Sequence, residues 1–176
     1  MDGSHQGLSP VSRGTDPGAL LKDNVSNYEN KIKELGFLLP EPAKPAGIYQ
    51  PVVMAGNLAF LSGQLGRVNG TLVTGKVGKD LDLKQAQAAA QGAGLHVLSL
   101  IQHGIGWKQF KRIVKLSGFV QVDPAFTEIS AVINGASELL AQVLGDAGGP
   151  ARTSVGVASL PQNAAIEIEV VVEIVS

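Results

Sequence analysis

Arg152 opens a β-branched stretch just after a Gly-Gly-Pro turn, where its charge has few local partners. Ser154 lies two residues on, and Glu167 and Glu169 stand in the next extended stretch, Ile166-Glu167-Ile168-Glu169. If the two stretches pair as a hairpin, Arg152, Ser154, Glu167 and Glu169 project from neighbouring strands. A guanidinium beside hydroxyls and a carboxylate is a receptor for a small carboxylic acid, because its planar fork matches a carboxylate in two parallel hydrogen bonds. The plainer alternative is structural: Arg152 pairs with a nearby acid such as Asp146 or Glu169 and carries no chemistry.

The other reactive residue types point away from metals, nucleotides and thiols. The chain has no cysteine, which removes disulfides, thiolate nucleophiles and cysteine-bound metals. His96 and His103 are two helical turns apart, too far along an axis to chelate one ion unaided, and read as surface or helix-end residues; His5 lies in the amino-terminal leader. Gly63-Gln64-Leu65-Gly66 and Gly75-Lys76-Val77-Gly78-Lys79 fit neither GxxxxGK[ST] nor GxGxxG and read as turns. The expectation is a protein without metal or cofactor.

With 176 residues, 44% of them hydrophobic and 16% charged, the chain suffices for a single domain with a real core. Its formal net charge of −1 gives no field to gather nucleic acid or an anionic membrane. No apolar run approaches the roughly 20 residues that span a bilayer. The amino terminus lacks a basic stretch followed by an apolar one, so no secretory signal is expected and a cytoplasmic location is compatible.

Residues 1–25 mix Gly, Ser, Pro and Asp without apolar period and read as a flexible leader or a segment appended for expression, leaving residues 26–176 as one domain. Ser26 with Glu29 suggests a capping box for a short helix that Gly36 ends, with Tyr28, Ile32 and Leu35 on one face. A proline-rich connector through Pro40, Pro42 and Pro45 follows. Tyr49–Met54 and Asn57–Gly63 read as a hairpin turning at Gly56-Asn57, and Asn69-Gly70 is a second turn signal. Asp82 with Gln85 caps a helix over Leu83–Gln102, where Gly92 and Gly94 permit close approach of a strand or another helix and Gly104 and Gly106 mark the end. Ile113–Val122 is a strand, with Ile113, Lys115, Ser117 and Phe119 on one side. A second helix starts at about Phe126 or Ile133 and runs to Leu144, and two strands, Arg152–Ala158 and Ala165–Val175, close the chain. The order implies an α+β fold with one mixed sheet and two long helices on one face. The last strand places Ile166, Ile168, Val170, Val172 and Ile174 on one side and Glu167 and Glu169 on the other, with Val171 making that second side only partly polar.

The ordered set of segments resembles the reactive intermediate deaminase (Rid, YjgF-type) family over about Tyr28 to Ser176. The resemblance rests on Gly47-Ile48-Tyr49, Gly56-Asn57, Leu61-Ser62-Gly63-Gln64, Phe119-Val120 with Asp123, Val132-Ile133-Asn134-Gly135, and the Arg152, Leu160-Pro161 and Ile166-to-Glu169 segments. It implies a chorismate-mutase-like homotrimer whose three sheets form an inner barrel, with ligand clefts between subunits. It also implies hydrolysis of 2-imino or enamino acids to 2-keto acids and ammonia without a cofactor. Arg152 would then clamp the substrate carboxylate, and Glu167 would position or activate water or shuttle protons. Tyr49, Ser62 and Asn134 would shape the cleft, with Ser154 among the substrate-binding residues. Ser154 stands where many members carry Cys, Ile48 replaces the usual Pro, and Asn134-Gly135-Ala136-Ser137 resembles a less studied subgroup. Two further functions remain open. One is a trimer that binds small carboxylates without turnover. The other is a ribonuclease, against which stand the near-neutral charge and the lack of a His pair or basic aromatic patch.

Overall fold

The computed structural model describes residues 27–42 and 47–175. The leader over 1–25, the expected Ser26 cap and Pro45 lie outside the described residues. Helix α1 occupies residues 27–34, and Gly36 ends it with φ +78°, allowing Phe37 N–H to reach Ile32 O at 3.0 Å. Ile32 is buried, and the Tyr28 ring packs on Trp107 and Phe110 with centroids 5.3 and 5.8 Å away. Such aromatic contacts fasten α1, which is too short to be stable alone.

Strands β1 (Val52–Ala55) and β2 (Leu58–Leu65) form the expected hairpin about Gly56-Asn57. The first strand begins later than Tyr49, which sits in a bend. Pro51 has no N–H to give a ladder, so pairing starts only beyond it. Gly63–Leu65, read from sequence as part of a turn, is instead extended within β2 and carries a register shift between Leu61 and Gln64. Strands β3 (Arg67–Val68) and β4 (Thr71–Leu72) make a small separate ribbon around Asn69 and Gly70, both at positive φ as a tight two-residue hairpin requires.

Helix α2 (Leu83–Leu100) opens with a complete capping box: Asp82 Oδ1 accepts from Gln85 N–H at 2.7 Å, and Gln85 Oε1 accepts from Asp82 N–H at 3.0 Å. It runs on as a widened turn over Ile101–Ile105 that Gly106 stops at φ +86°. Strand β5 (Phe110–Gln121) begins earlier than expected and has two register shifts, one between Ile113 and Lys115. That shift breaks the alternation read from sequence: Ile113 joins Leu116 and Val120 in the core, whereas Lys115, Ser117 and Phe119 face away. Helix α3 (Ile129–Leu144) ends at Gly145, φ +58°. Strands β6 (Ala151–Val157) and β7 (Ile166–Ile174) follow.

The main sheet runs β1-β2-β7-β5-β6, with β5 and β6 parallel and the other pairs antiparallel. Helix α3 is thus the crossover between parallel neighbours β5 and β6. Ile166, Ile168, Val170 and Val172 on the central strand β7 are all buried with the inner sides of α2 and α3. Each such side chain contributes about 1.5–3 kcal/mol of burial. The result is a mixed α+β fold with both long helices on one face of the sheet, as the element order implied.

The hairpin expected between the last two strands does not form. Strand β7 inserts between β2 and β5, so β5 separates β6 from β7. The connection between them crosses the end of β5, where buried Gln121 holds it: its Nε2 donates to Asn163 Oδ1 at 2.7 Å and its Oε1 accepts from Leu160 N–H at 2.9 Å. A buried amide satisfied on both sides fixes this crossing, where an unsatisfied one would be costly.

Candidate functional site

Arg152 leads edge strand β6 opposite Leu116 of β5, on the helix-covered face of the sheet. Its Nη1 donates to Asn134 Oδ1 at 2.8 Å and to Ser137 Oγ at 2.9 Å, and Nη2 makes a long contact with Ser130 O at 3.5 Å. Ser130, Asn134 and Ser137 follow one another at helical spacing on α3, so three neutral oxygens hold one guanidinium. Among the described residues Arg152 makes no ion pair; neither Asp146 nor Glu169 is its partner. Both Nη1 hydrogens are committed, whereas among the described residues Nη2 makes only the long contact with Ser130 O and Nε makes no hydrogen bond. Ser154, next on the same face, has a buried Oγ without a hydrogen-bond partner.

Glu167 lies elsewhere. On β7 it pairs with Phe119 of β5 and Leu65 of β2, on the face that carries no helices. It does not meet Arg152 within the chain, because β5 intervenes and the two side chains leave opposite faces. The juxtaposition of Arg152 and Ser154 with Glu167 and Glu169 expected from sequence is therefore corrected. Apolar flanks explain the electrostatics: burial raises the Glu167 pKa above its ordinary value, and the neighbouring Glu169 raises it further. The carboxyl is held against β2 where Gly63 leaves room. A Cβ on Gly63 would collide with Glu167 Oε1.

The segment around Gly63 is shaped by its neighbours. Gln64 Nε2 donates to Ser62 O at 2.9 Å and Gly63 O at 3.1 Å, pinning the irregularity in β2. Ser62 Oγ donates to Gln50 O at 2.7 Å and so ties the segment to the residue after Tyr49. Within the chain, Asn134 meets Arg152 and Ser154 follows it on the same strand face, whereas Ser62 adjoins Gly63, against which Glu167 is held. Ser137, Ser130 and the steric role of Gly63 escaped the sequence reading. The helical spacing of Ser130, Asn134 and Ser137 along α3 is the signal that could have found the first two. Among the described residues no group of three or more His, Cys, Asp or Glu side chains converges as a metal site would need, and no helix is long and apolar enough to cross a membrane.

Known proteins match this arrangement along most of its length. Protein TCP17 of Trypanosoma cruzi is 42% identical over 146 residues, spanning 81% of this chain and 91% of its own. A 2-iminobutanoate/2-iminopropanoate deaminase of Dermatophagoides farinae is 30% identical over 138 residues, 77% of this chain and 92% of its own. The crystal structure of Atu1372 from Agrobacterium tumefaciens, a protein of unknown function, superposes with a TM-score of 0.82 at 41% identity, covering 91% of this chain and 100% of that one. The sequence profile of the family described as Endoribonuclease L-PSP matches residues 40–174, a span that holds the Ser62-Gly63-Gln64 segment, the α3 polar row, Arg152 and Glu167, and the chain belongs to this family, the YjgF/Rid family.

Proposed function

We propose that the protein hydrolyses reactive 2-imino or enamino acids to 2-keto acids and ammonia, with Arg152 as the carboxylate clamp. The observation that carries this reading is a guanidinium held by Asn134 and Ser137 through one nitrogen, without an acidic partner among the described residues. An arginine kept in place by neutral oxygens retains its full charge and an open edge for an incoming carboxylate. The deaminase from Dermatophagoides farinae supports the substrate class.

In the reaction, water adds to the imine carbon, the nitrogen takes up protons, and the C–N bond of the resulting carbinolamine breaks to release ammonia. Glu167 suits the proton transfers, because a carboxyl with a raised pKa accepts and returns a proton near neutral pH more readily than an ordinary one. Ser62 adjoins Gly63, against which Glu167 is held, and Asn134 bonds Arg152 directly, while Tyr49 and Ser154 are assigned to the cleft on the family resemblance. Since the two groups lie on different faces of one chain, a complete site requires two chains, with Arg152 from one and Glu167 from its neighbour. A homotrimer satisfies that need and covers the helix-free face, where Phe60 and Val155 are 45% and 40% exposed.

The test is ammonia release from enzymatically generated 2-imino acids by wild type and Arg152→Ala. A wild-type rate no faster than spontaneous hydrolysis removes the enzymatic reading. The separation of Arg152 from Glu167 favours one alternative, a trimer that binds small carboxylates without turnover. Saturable keto-acid binding without ammonia release would select it.

A further inference from the structure

A second cleft, lined by neither Arg152 nor Glu167, lies where the end of α1, the β3–β4 ribbon and α2 meet. Its volume is about 500 Å³, within the range of small-molecule sites. Phe37, Leu38 and Leu95 provide its apolar walls, and among the described residues Arg67 and His96 are the only ionisable ones that line it. None of those lining residues is an acid.

The guanidinium of Arg67 is little used. Its side-chain hydrogen bond runs from Nη1 to Gly70 O at a long 3.4 Å, and among the described residues it makes no ion pair. Of its five N–H donors, most are therefore available to a ligand. Leu38 is 86% exposed beside it, an apolar side chain that gains from any apolar group placed against it. The floor of the cleft is built by a close approach: a Cβ on Gly92 would collide with Arg67 O, so only glycine lets the ribbon rest on α2 at this point. Gly92 thus sets Arg67 over α2 one turn from His96.

We propose that this cleft binds a small organic monoanion with an apolar tail, its carboxylate between Arg67 and His96 and its tail against Phe37, Leu38 and Leu95. The site does not depend on the deaminase reading and shares no residue with it. Burial and then the charge of Arg67 hold the His96 pKa below its ordinary value, which favours the neutral imidazole while no anion offsets that charge. The remaining lining residues, Gly36, Pro40, Asn69, Gly70 and Gly92, carry no titratable side chain. A bound carboxylate therefore raises the His96 pKa.

The experiment titrates the full chain with phenylacetate and, separately, with the neutral phenylacetamide, by calorimetry and by NMR of the histidine ring signals. The His96 signal is assigned as the one missing from His96→Gln. Phenylacetate is expected to bind with a dissociation constant on the order of 1 mM or below, and phenylacetamide about tenfold more weakly. Arg67→Ala and, as a second variant at an exposed position, Leu38→Asp should each weaken phenylacetate about tenfold or more, with the melting temperature unchanged. Arg152→Ala should leave this binding intact. Phenylacetate should also shift the His96 titration upward. Equal binding of acid and amide, no saturable binding, or binding lost in Arg152→Ala and kept in Arg67→Ala would each overturn the proposal.

Discussion

The Arg152 region and the Glu167 region solve opposite electrostatic problems. Arg152 sits on an edge strand beneath α3, where Asn134 and Ser137 take two of its hydrogen bonds at 2.8 and 2.9 Å. Glu167 sits in a central strand between Phe119 and Leu65, half-buried, with Glu169 two residues away. Neutral oxygens hold the cation in place, whereas burial and a neighbouring acid disfavour the charged form of the carboxyl. A fixed charge suits recognition of an anion, and a reluctant carboxylate suits proton transfer. The contrast teaches that one β-sheet can hold a fixed cation and a reluctant acid on separate faces, so that only the proposed pairing of two chains would bring them together.

The largest expected effect comes from Glu167→Gln. If Glu167 moves protons, ammonia release falls by about 10²–10⁴-fold while keto-acid binding persists. An unchanged rate would assign the chemistry elsewhere. Next is Arg152→Ala, which should weaken carboxylate binding about 10- to 150-fold, with Arg152→Lys failing similarly because an ammonium lacks the planar fork. If affinity stays constant and only the melting temperature falls, Arg152 is a structural residue.

Gly63→Ala tests the Glu167 side without touching the acid. The added methyl displaces a flexible carboxylate, so turnover should drop about tenfold while stability changes by about 1 kcal/mol. Loss of stability without loss of rate would dissociate Gly63 from the chemistry. Ser137→Ala removes one of the two short contacts to Arg152 and should cost about 0.5–1.5 kcal/mol in ligand binding, seen by calorimetry.

The smallest effect is in stability against pH. A carboxyl whose folded pKa is raised above its unfolded value leaves stability intact at low pH and erodes it as pH rises through the folded pKa. Glu167→Gln should therefore raise stability at neutral pH by about 0.5 kcal/mol, a value kept small by solvent screening. The gain should vanish below the ordinary carboxylate value of 4.5. Stabilisation that persists at low pH would trace it to packing rather than charge. Light scattering at micromolar concentration joins these tests, because a monomeric mass would leave the two regions unconnected.

Legibility in the sequence followed the range of the interaction. The Asp82 and Gln85 capping box, the Gly36 stop and the Gly56-Asn57 and Asn69-Gly70 turns are set by neighbours a few residues apart, and each stands in the structure as read. The alternation over Ile166 to Ile174 also held, since one face of β7 is buried throughout. Strand β5 was legible as a strand but not in its facing, because its register shifts leave no mark in composition.

The sequence by itself determined the element types, the two helices against a mixed sheet, and the residue types able to bind a carboxylate and move a proton. These rest on local propensity, periodicity and the chemistry of single side chains. Tertiary structure alone decided that β7 enters between β2 and β5, because strand order depends on which apolar faces bury together and on a crossing fixed by Gln121. That one choice turned an apparent hairpin carrying Arg152 and Glu167 side by side into two regions on opposite faces.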